Sequence, residues 1–339
     1  MFTKACNQAL ARRAPAPTQS SVPGKRREVP RARLLVFLSI AMAMTFTTLV
    51  SAKHFGDWGV PVNAESIPGT SSELNTTSND GYPIQSPDGL SLYIVSDRPG
   101  GFDGLDIWVA QRASRDDPWG APENLGLPVN SSANDWSHTP VPGHGLYFVS
   151  ARAGGCGSDD IYFTRFKNGA WEEPQNLGCQ INSTASEAGP SYFEDESGHA
   201  ILYFSSFRAG GFLPDPGAPD SDIYFSVDFG PAQLAPGLNT GANENRPNVR
   251  KDGGEIVFDS NRPGGFGMQD IWTASRETSA DDWSTPTNLG PTVNSTVTDA
   301  RPTLSRDGLT LFFGSNRLGT QGGSDIYVTN REKLTGHDH

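Results

Sequence analysis

The stretch Ser260–Trp272 reads S-N-R-P-G-G-F-G-M-Q-D-I-W, and variants of it occur five times along the chain. The copies start at Ser96, Ser150, Ser206, Ser260 and Ser315, each with an arginine two residues on: Arg98, Arg152, Arg208, Arg262 and Arg317. A D-I-aromatic triplet follows, led by Asp106, Asp160, Asp222, Asp270 and Asp325. The arginine-to-aspartate interval is eight residues in four copies and fourteen in the third. A period of 52 to 57 residues makes this a repeat protein whose units stack into one closed array rather than separate cores.

Working outward from that stretch, each unit divides into four short strands. In the copy from Asp299, D-A-R-P-T-L-S is a first strand, R-D-G a tight turn, L-T-L-F-F-G-S a second strand and D-I-Y-V-T-N a third. Turns at Asp88-Gly89, Asp252-Gly253 and Asp307-Gly308 are of the D-G type, in which glycine supplies the positive φ a hairpin needs. The fourth strand follows W-x-x-P-x-N at Trp119, Trp171 and Trp283. A connector then places Asn130, Asn182, Asn239 and Asn294 each five residues before an acid. Four strands in sequence order make a propeller blade.

The fifth unit stops after its third strand. Its missing signature lies at the other end, at Trp58–Asn63, with the connector from Leu74-Asn75 to Asp80. Residues 53–79 are therefore expected to supply the outer strand of the last blade and so remove the open sheet edges. The fold class is an all-β, five-bladed propeller of four-stranded antiparallel blades over 80–332, with a tail at 333–339.

Residues 1–33 carry eight Lys/Arg and one acid, and Leu34–Val50 is an apolar run of 17 ending in Val50-Ser51-Ala52. This pattern, over 1–52, is that of a signal peptide or an uncleaved N-terminal anchor. The expected location is the periplasm or the extracellular space. Contact with a membrane would come only through the uncleaved segment. Without residues 1–52 the chain has 18 basic and 37 acidic residues, a net charge of −19. Nucleic acid is excluded as a partner, since phosphate binding needs a basic footprint. Cys156 and Cys179 would then be the remaining cysteines, and in an oxidising compartment they read either as one disulfide or as two free thiols.

The units at Ser86-Pro87-Asp88-Gly89, Leu92–Arg98 and Asp106-Ile107-Trp108 resemble the WD-repeat-like β-propeller family that includes the periplasmic protein TolB. The resemblance spans about 58–331. It implies the fold and leaves function open, because propellers of this kind include binding scaffolds of several sorts.

In such a fold the connectors and the second-to-third-strand loops open on one face. Asp80, Asp135, Glu187, Glu244 and Asp299 should lie there with the five arginines. These acids read either as a carboxylate set for glycoside hydrolysis or, since every blade has one, as braces that take their arginine bidentately. The triplet aspartates read as acceptors for the Gly-rich loop N–H groups, or as calcium ligands in loops that lack a dense D-x-D-x-D pattern. No other cofactor or metal is implied. The repeated tryptophans are outer-strand anchors rather than sugar platforms.

Binding residues are sought where the fivefold pattern breaks: Trp136; His138, which stands where the other copies have proline; Tyr82, Arg246 and Arg301, two residues past the acid; and the insertion Phe212–Ser221. His138 is equally readable as a lone surface histidine. The function expected is an exported binding or scaffold module, not an enzyme, that engages a protein or carbohydrate ligand on its loop-rich face. The alternative is a glycosidase-like enzyme, marked by an acid with a raised pKa and no arginine partner.

Overall fold

The computed structural model describes residues 55–212 and 220–334, and these form five antiparallel sheets arranged as propeller blades. Blade one is Asp80–Gln85, Ser91–Ser96, Asp106–Gln111 and Glu123–Asn124, from channel to rim. Blade four repeats it with Glu244–Val249, Glu255–Ser260, Asp270–Ser275 and Thr287–Asn288. Blade three is Glu187–Glu194, Ala200–Ser206, Asp222–Val227 and Gln233–Leu234. Blade five takes Asp299–Leu304, Thr310–Ser315 and Asp325–Asn330 from the C-terminal end and Val62–Asn63 from the N-terminal end. Val62 pairs with Val328 and Asn63 with Tyr327, which closes the ring. The export or anchor reading concerns residues 1–52, outside the described residues. No helix among the described residues is long and apolar enough to cross a membrane.

Blade two departs from four strands. Beside Asp135–Val141, Gly145–Ser150, Asp160–Lys167 and Gln175–Asn176 it has Ala170–Trp171, folded back on the long third strand. Trp171 thus sits on an extra strand that its counterparts lack, yet it is partly buried against the core between blades one and two. The reason is local. Arg112, Arg276 and Arg331 follow the third strands of blades one, four and five, and each lies over a signature tryptophan, at 4.1 Å from Trp119, 4.0 Å from Trp283 and 4.3 Å from Trp58. Each also donates Nε to the glycine carbonyl of a D-G turn (Gly89, Gly253, Gly308). Blade two has Phe166 at that position and no D-G turn, so Trp171 packs edge-on against Phe166 at 5.4 Å.

The repeated motif is a set of polar clamps on an apolar core. Asn130, Asn182, Asn239 and Asn294 each accept the N–H of the triplet isoleucine and donate back to its carbonyl, while Asn75 accepts the Ile326 N–H and donates to Asn63 Oδ1. Those isoleucines are fully buried between sheets. The triplet aspartates accept loop N–H groups, such as Phe102 to Asp106 at 2.6 Å and Gly267 to Asp270 at 3.0 Å. The second loop glycine is required for this: a Cβ on Gly101 would stand 2.0 Å from an Asp106 oxygen.

Candidate functional site

All five connector acids are fully buried, and each lies against its arginine: Asp80–Arg98 at 2.6 Å, Asp135–Arg152 at 2.8 Å, Glu187–Arg208 at 3.1 Å, Glu244–Arg262 at 2.9 Å and Asp299–Arg317 at 2.5 Å. Contact is through one Nη2, not the bidentate fork expected. The rest of the guanidinium is occupied elsewhere: in Arg98, Nε meets Ser96 Oγ, while Nη1 and Nη2 donate to the carbonyls of Glu73 and Leu74. The second carboxylate oxygen accepts the N–H and hydroxyl of the residue four before it, as from Thr76 to Asp80. An acid bound in this way faces its own arginine and connector rather than open space. The ring is a brace between connector and second strand.

The residue two past each acid forms a second ring, at the channel. Each first strand shifts register there, and Tyr82, Ser137, Gly189, Arg246 and Arg301 all have φ between 50° and 60°. Four of the five are not glycine, and a left-handed backbone at such residues costs on the order of 1 kcal/mol or more each. In blade three glycine is obligatory, because a Cβ on Gly189 would lie 2.4 Å from Arg246 Cα. These bulges turn large polar side chains toward the axis.

The structure brings four of the predicted residues together. The guanidinium of Arg301 lies over the Tyr82 ring at 4.4 Å, that of Arg246 lies at 5.4 Å, and Trp136 meets Tyr82 edge-on at 5.5 Å. Trp136 also donates Nε1 to Asp159 at 3.3 Å. Sequence reasoning missed the residue that orders this cluster. Asp259, fully buried on the second strand of blade four, accepts from Arg246 Nη1 at 3.0 Å and from the Arg301 backbone N–H at 2.9 Å. Burial pushes its carboxyl above the usual range, with Arg246 and Arg301 pulling the other way. The signal was present as F-D-S, where the other copies have V-S, S-S or G-S.

Above Tyr82 and Arg301 a cavity of about 300 Å³ opens among the connectors and loops of blades one and five, near Asn79, Thr298 and Asn316. Gly81 and Gly314 make the room; a Cβ on Gly81 would stand 2.6 Å from Arg301 Nη1. Asp259 holds Arg246, but no ion pair to Arg301 occurs among the described residues, and its Nε is buried without a partner. A stacked cation with open donors over an aromatic floor suits a polar ligand.

Phe212 is exposed and lines neither this cavity nor the channel below it; residues 213–219 of the insertion lie outside the described residues. Cys156 and Cys179 are joined, with Cα atoms 5.6 Å apart. Among the described residues no His, Cys, Asp or Glu side chains converge as a metal-binding group of three.

His138 is no surface histidine. It is buried in the channel wall beside Tyr93, ring centroids 5.8 Å apart, and burial pushes its pKa down to about 3 against the opposing pull of the Tyr93 backbone. An unfolded histidine titrates near 6.5, so the stability gained by keeping this ring neutral is complete above pH 6.5 and is lost as pH falls toward 3. Between pH 7 and pH 5 the wild type is expected to lose about 2 kcal/mol more than His138→Leu, read by urea unfolding at the two pH values.

No protein-family model matches the chain, and no curated protein is significantly similar to it. Solved structures share its fold. An endo-arabinase from Bacteroides thetaiotaomicron aligns with a TM-score of 0.50 at 15% identity, covering 79% of this chain and 98% of that one. TolB from Acinetobacter baumannii aligns with a TM-score of 0.46 at 14% identity, covering 81% and 63%. A protein of unknown function from Dyadobacter fermentans aligns at 0.47 and 12%, covering 83% and 100%. The likeness to the endo-arabinase is one of fold, which in this chain is all-β with five blades.

Proposed function

We propose that this is an exported binding propeller whose ligand enters the channel from the loop-rich face and is held by Arg301 and Tyr82, with Trp136 bracing the Tyr82 ring edge-on. The observation that carries this reading is Arg301: strained backbone, stacked ring and unpaired guanidinium at the floor of the cavity. A saccharide is the ligand class to try first, because an aromatic floor and fixed donors match a pyranose face and its hydroxyls.

One observation favours glycoside hydrolysis as a second reading. Asp222 has no arginine partner, burial pushes its carboxyl up to about 6, and its Oδ1 is buried without a hydrogen bond. The outer strand of blade three also has Leu234 where the others have an asparagine that binds Oδ2 of the triplet aspartate, as Asn124 binds Asp106, whose Oδ1 is likewise buried without a hydrogen bond. The other oxygen of Asp222 still accepts Phe212 N–H at 2.8 Å, and the residue lines neither the cavity nor the channel.

The test presents the protein with a panel of soluble and insoluble polysaccharides and records retention and release of reducing ends. Retention without release, weakened at least tenfold by Arg301→Ala and by Trp136→Ala, is the expected result. Sustained release that Asp222→Asn abolishes would establish the hydrolase instead.

A further inference from the structure

The opposite, turn-bearing face holds a second cleft, and its neighbour shows what it lacks. Between blades four and five, the carboxylate of Glu255 is held by Arg331 through Nη1 at 2.8 Å and Nη2 at 2.5 Å, and by Arg250 Nη1 at 2.7 Å. Phe55 closes this cleft, with both guanidiniums over its ring, at 4.0 Å for Arg331 and 4.8 Å for Arg250. Between blades five and one the same scaffold recurs. Arg112 stands where Arg331 does, with Nε on a D-G turn carbonyl and its plane over a signature tryptophan. The strand position of Glu255, opposite Ser275, is taken in blade five by Thr310, opposite Asn330. Ser305 replaces Arg250, and no aromatic ring corresponds to Phe55.

What remains is a cleft of about 290 Å³ lined by Arg112, Arg115, Trp119, Phe312 and Thr310. Arg115 donates Nε to the Asp88 carbonyl at 2.8 Å and is otherwise exposed. Asp116 and Asp117 act on Arg112, and Asp88 and Asp307 feel Arg115, yet no ion pair to either arginine occurs among the described residues. Arg115 joins burial in lowering the pKa of Arg112, and the two cations share the cleft with Arg306 and with one carboxylate, Asp307, which feels Arg115 without an ion pair to it among the described residues.

We propose that the cleft between blades five and one binds a carboxylate carried on a short aliphatic stem, seated as Glu255 is seated in the neighbouring cleft and bridging Arg112 and Arg115. The stem would lie over Phe312 and Trp119. Such a group could come from a free diacid or from a glutamate side chain of a peptide.

The test titrates the full-length protein by calorimetry with glutarate, with its uncharged diamide, and with a peptide carrying one internal glutamate. Saturable binding of glutarate or the peptide, none of the diamide, and at least a tenfold loss in both Arg115→Ala and Thr310→Glu are expected. Thr310→Glu supplies the missing carboxylate in place and should raise Tm as well. Arg301→Ala, in the channel, should leave this binding unchanged. The proposal is overturned if neither carboxylate binds saturably, if Arg115→Ala and Thr310→Glu bind as the wild type does, or if Arg301→Ala removes the signal.

Discussion

Replacing Glu244 by alanine is expected to destabilise the protein by about 3–5 kcal/mol, the range for removing one partner of a buried ion pair. Arg262 has the most buried guanidinium of the five braces, at 7% exposure. Glu244 accepts from Arg262 at 2.9 Å, from Thr240 N–H at 2.7 Å and hydroxyl at 2.6 Å, and from Ser260 Oγ at 3.0 Å. Without it Arg262 keeps the Leu238 carbonyl at 2.6 Å but carries an uncompensated charge between sheets. For a domain of this size the loss corresponds to a fall in Tm of about 10 °C, measured by scanning calorimetry. The double change Glu244→Leu with Arg262→Met removes both charges and should recover much of the loss. A fall of under about 1 kcal/mol in the single variant would mean that the ring of acids is not structural.

Deleting residues 1–79 is expected to abolish cooperative folding. The ring then loses the outer strand of blade five, the Asn63 bond to Asp325 at 2.9 Å and the Asn75 acceptor for Ile326 N–H at 2.8 Å. It also loses Leu74, fully buried in the core shared by blades five and one. Loss of one buried leucine side chain costs about 2–5 kcal/mol, and with the clamps the sum approaches the whole stability of an ordinary domain, about 5–15 kcal/mol. The exposed third strand would offer an unpaired edge to other chains. Size-exclusion chromatography and circular dichroism should show aggregate where the chain starting at Lys53 is a folded monomer. A monomeric, equally stable chain from Asp80 would contradict closure by the N-terminal strand.

The fold was legible because each clamp recurs at a fixed offset. The asparagine that grips Ile107 and the glycine that makes room for Asp106 answer backbone needs common to all blades, so their spacing showed in the letters. Closure was legible for the same reason, since Trp58–Asn63 repeats a signature whose role was known from other units. The site was readable only in part. Tyr82, Trp136, Arg246 and Arg301 stood out as breaks in the pattern, and they do meet at the channel. Asp259 escaped notice, as did Glu255, because each joins one blade to the next at a position where no other copy has an acid. Of the two readings of His138, ligand residue or lone surface histidine, burial overturns the second: its position, aligned with four prolines, places it in the channel wall.

The most direct test of the account takes whichever saccharide the panel retains and titrates it by calorimetry into the wild type, Arg301→Ala and Asp222→Asn, with reducing ends assayed in the same samples. The account predicts at least tenfold weaker binding in Arg301→Ala, wild-type affinity in Asp222→Asn, and no release of reducing ends in any sample. Wild-type affinity in Arg301→Ala, together with release that only Asp222→Asn abolishes, would contradict it.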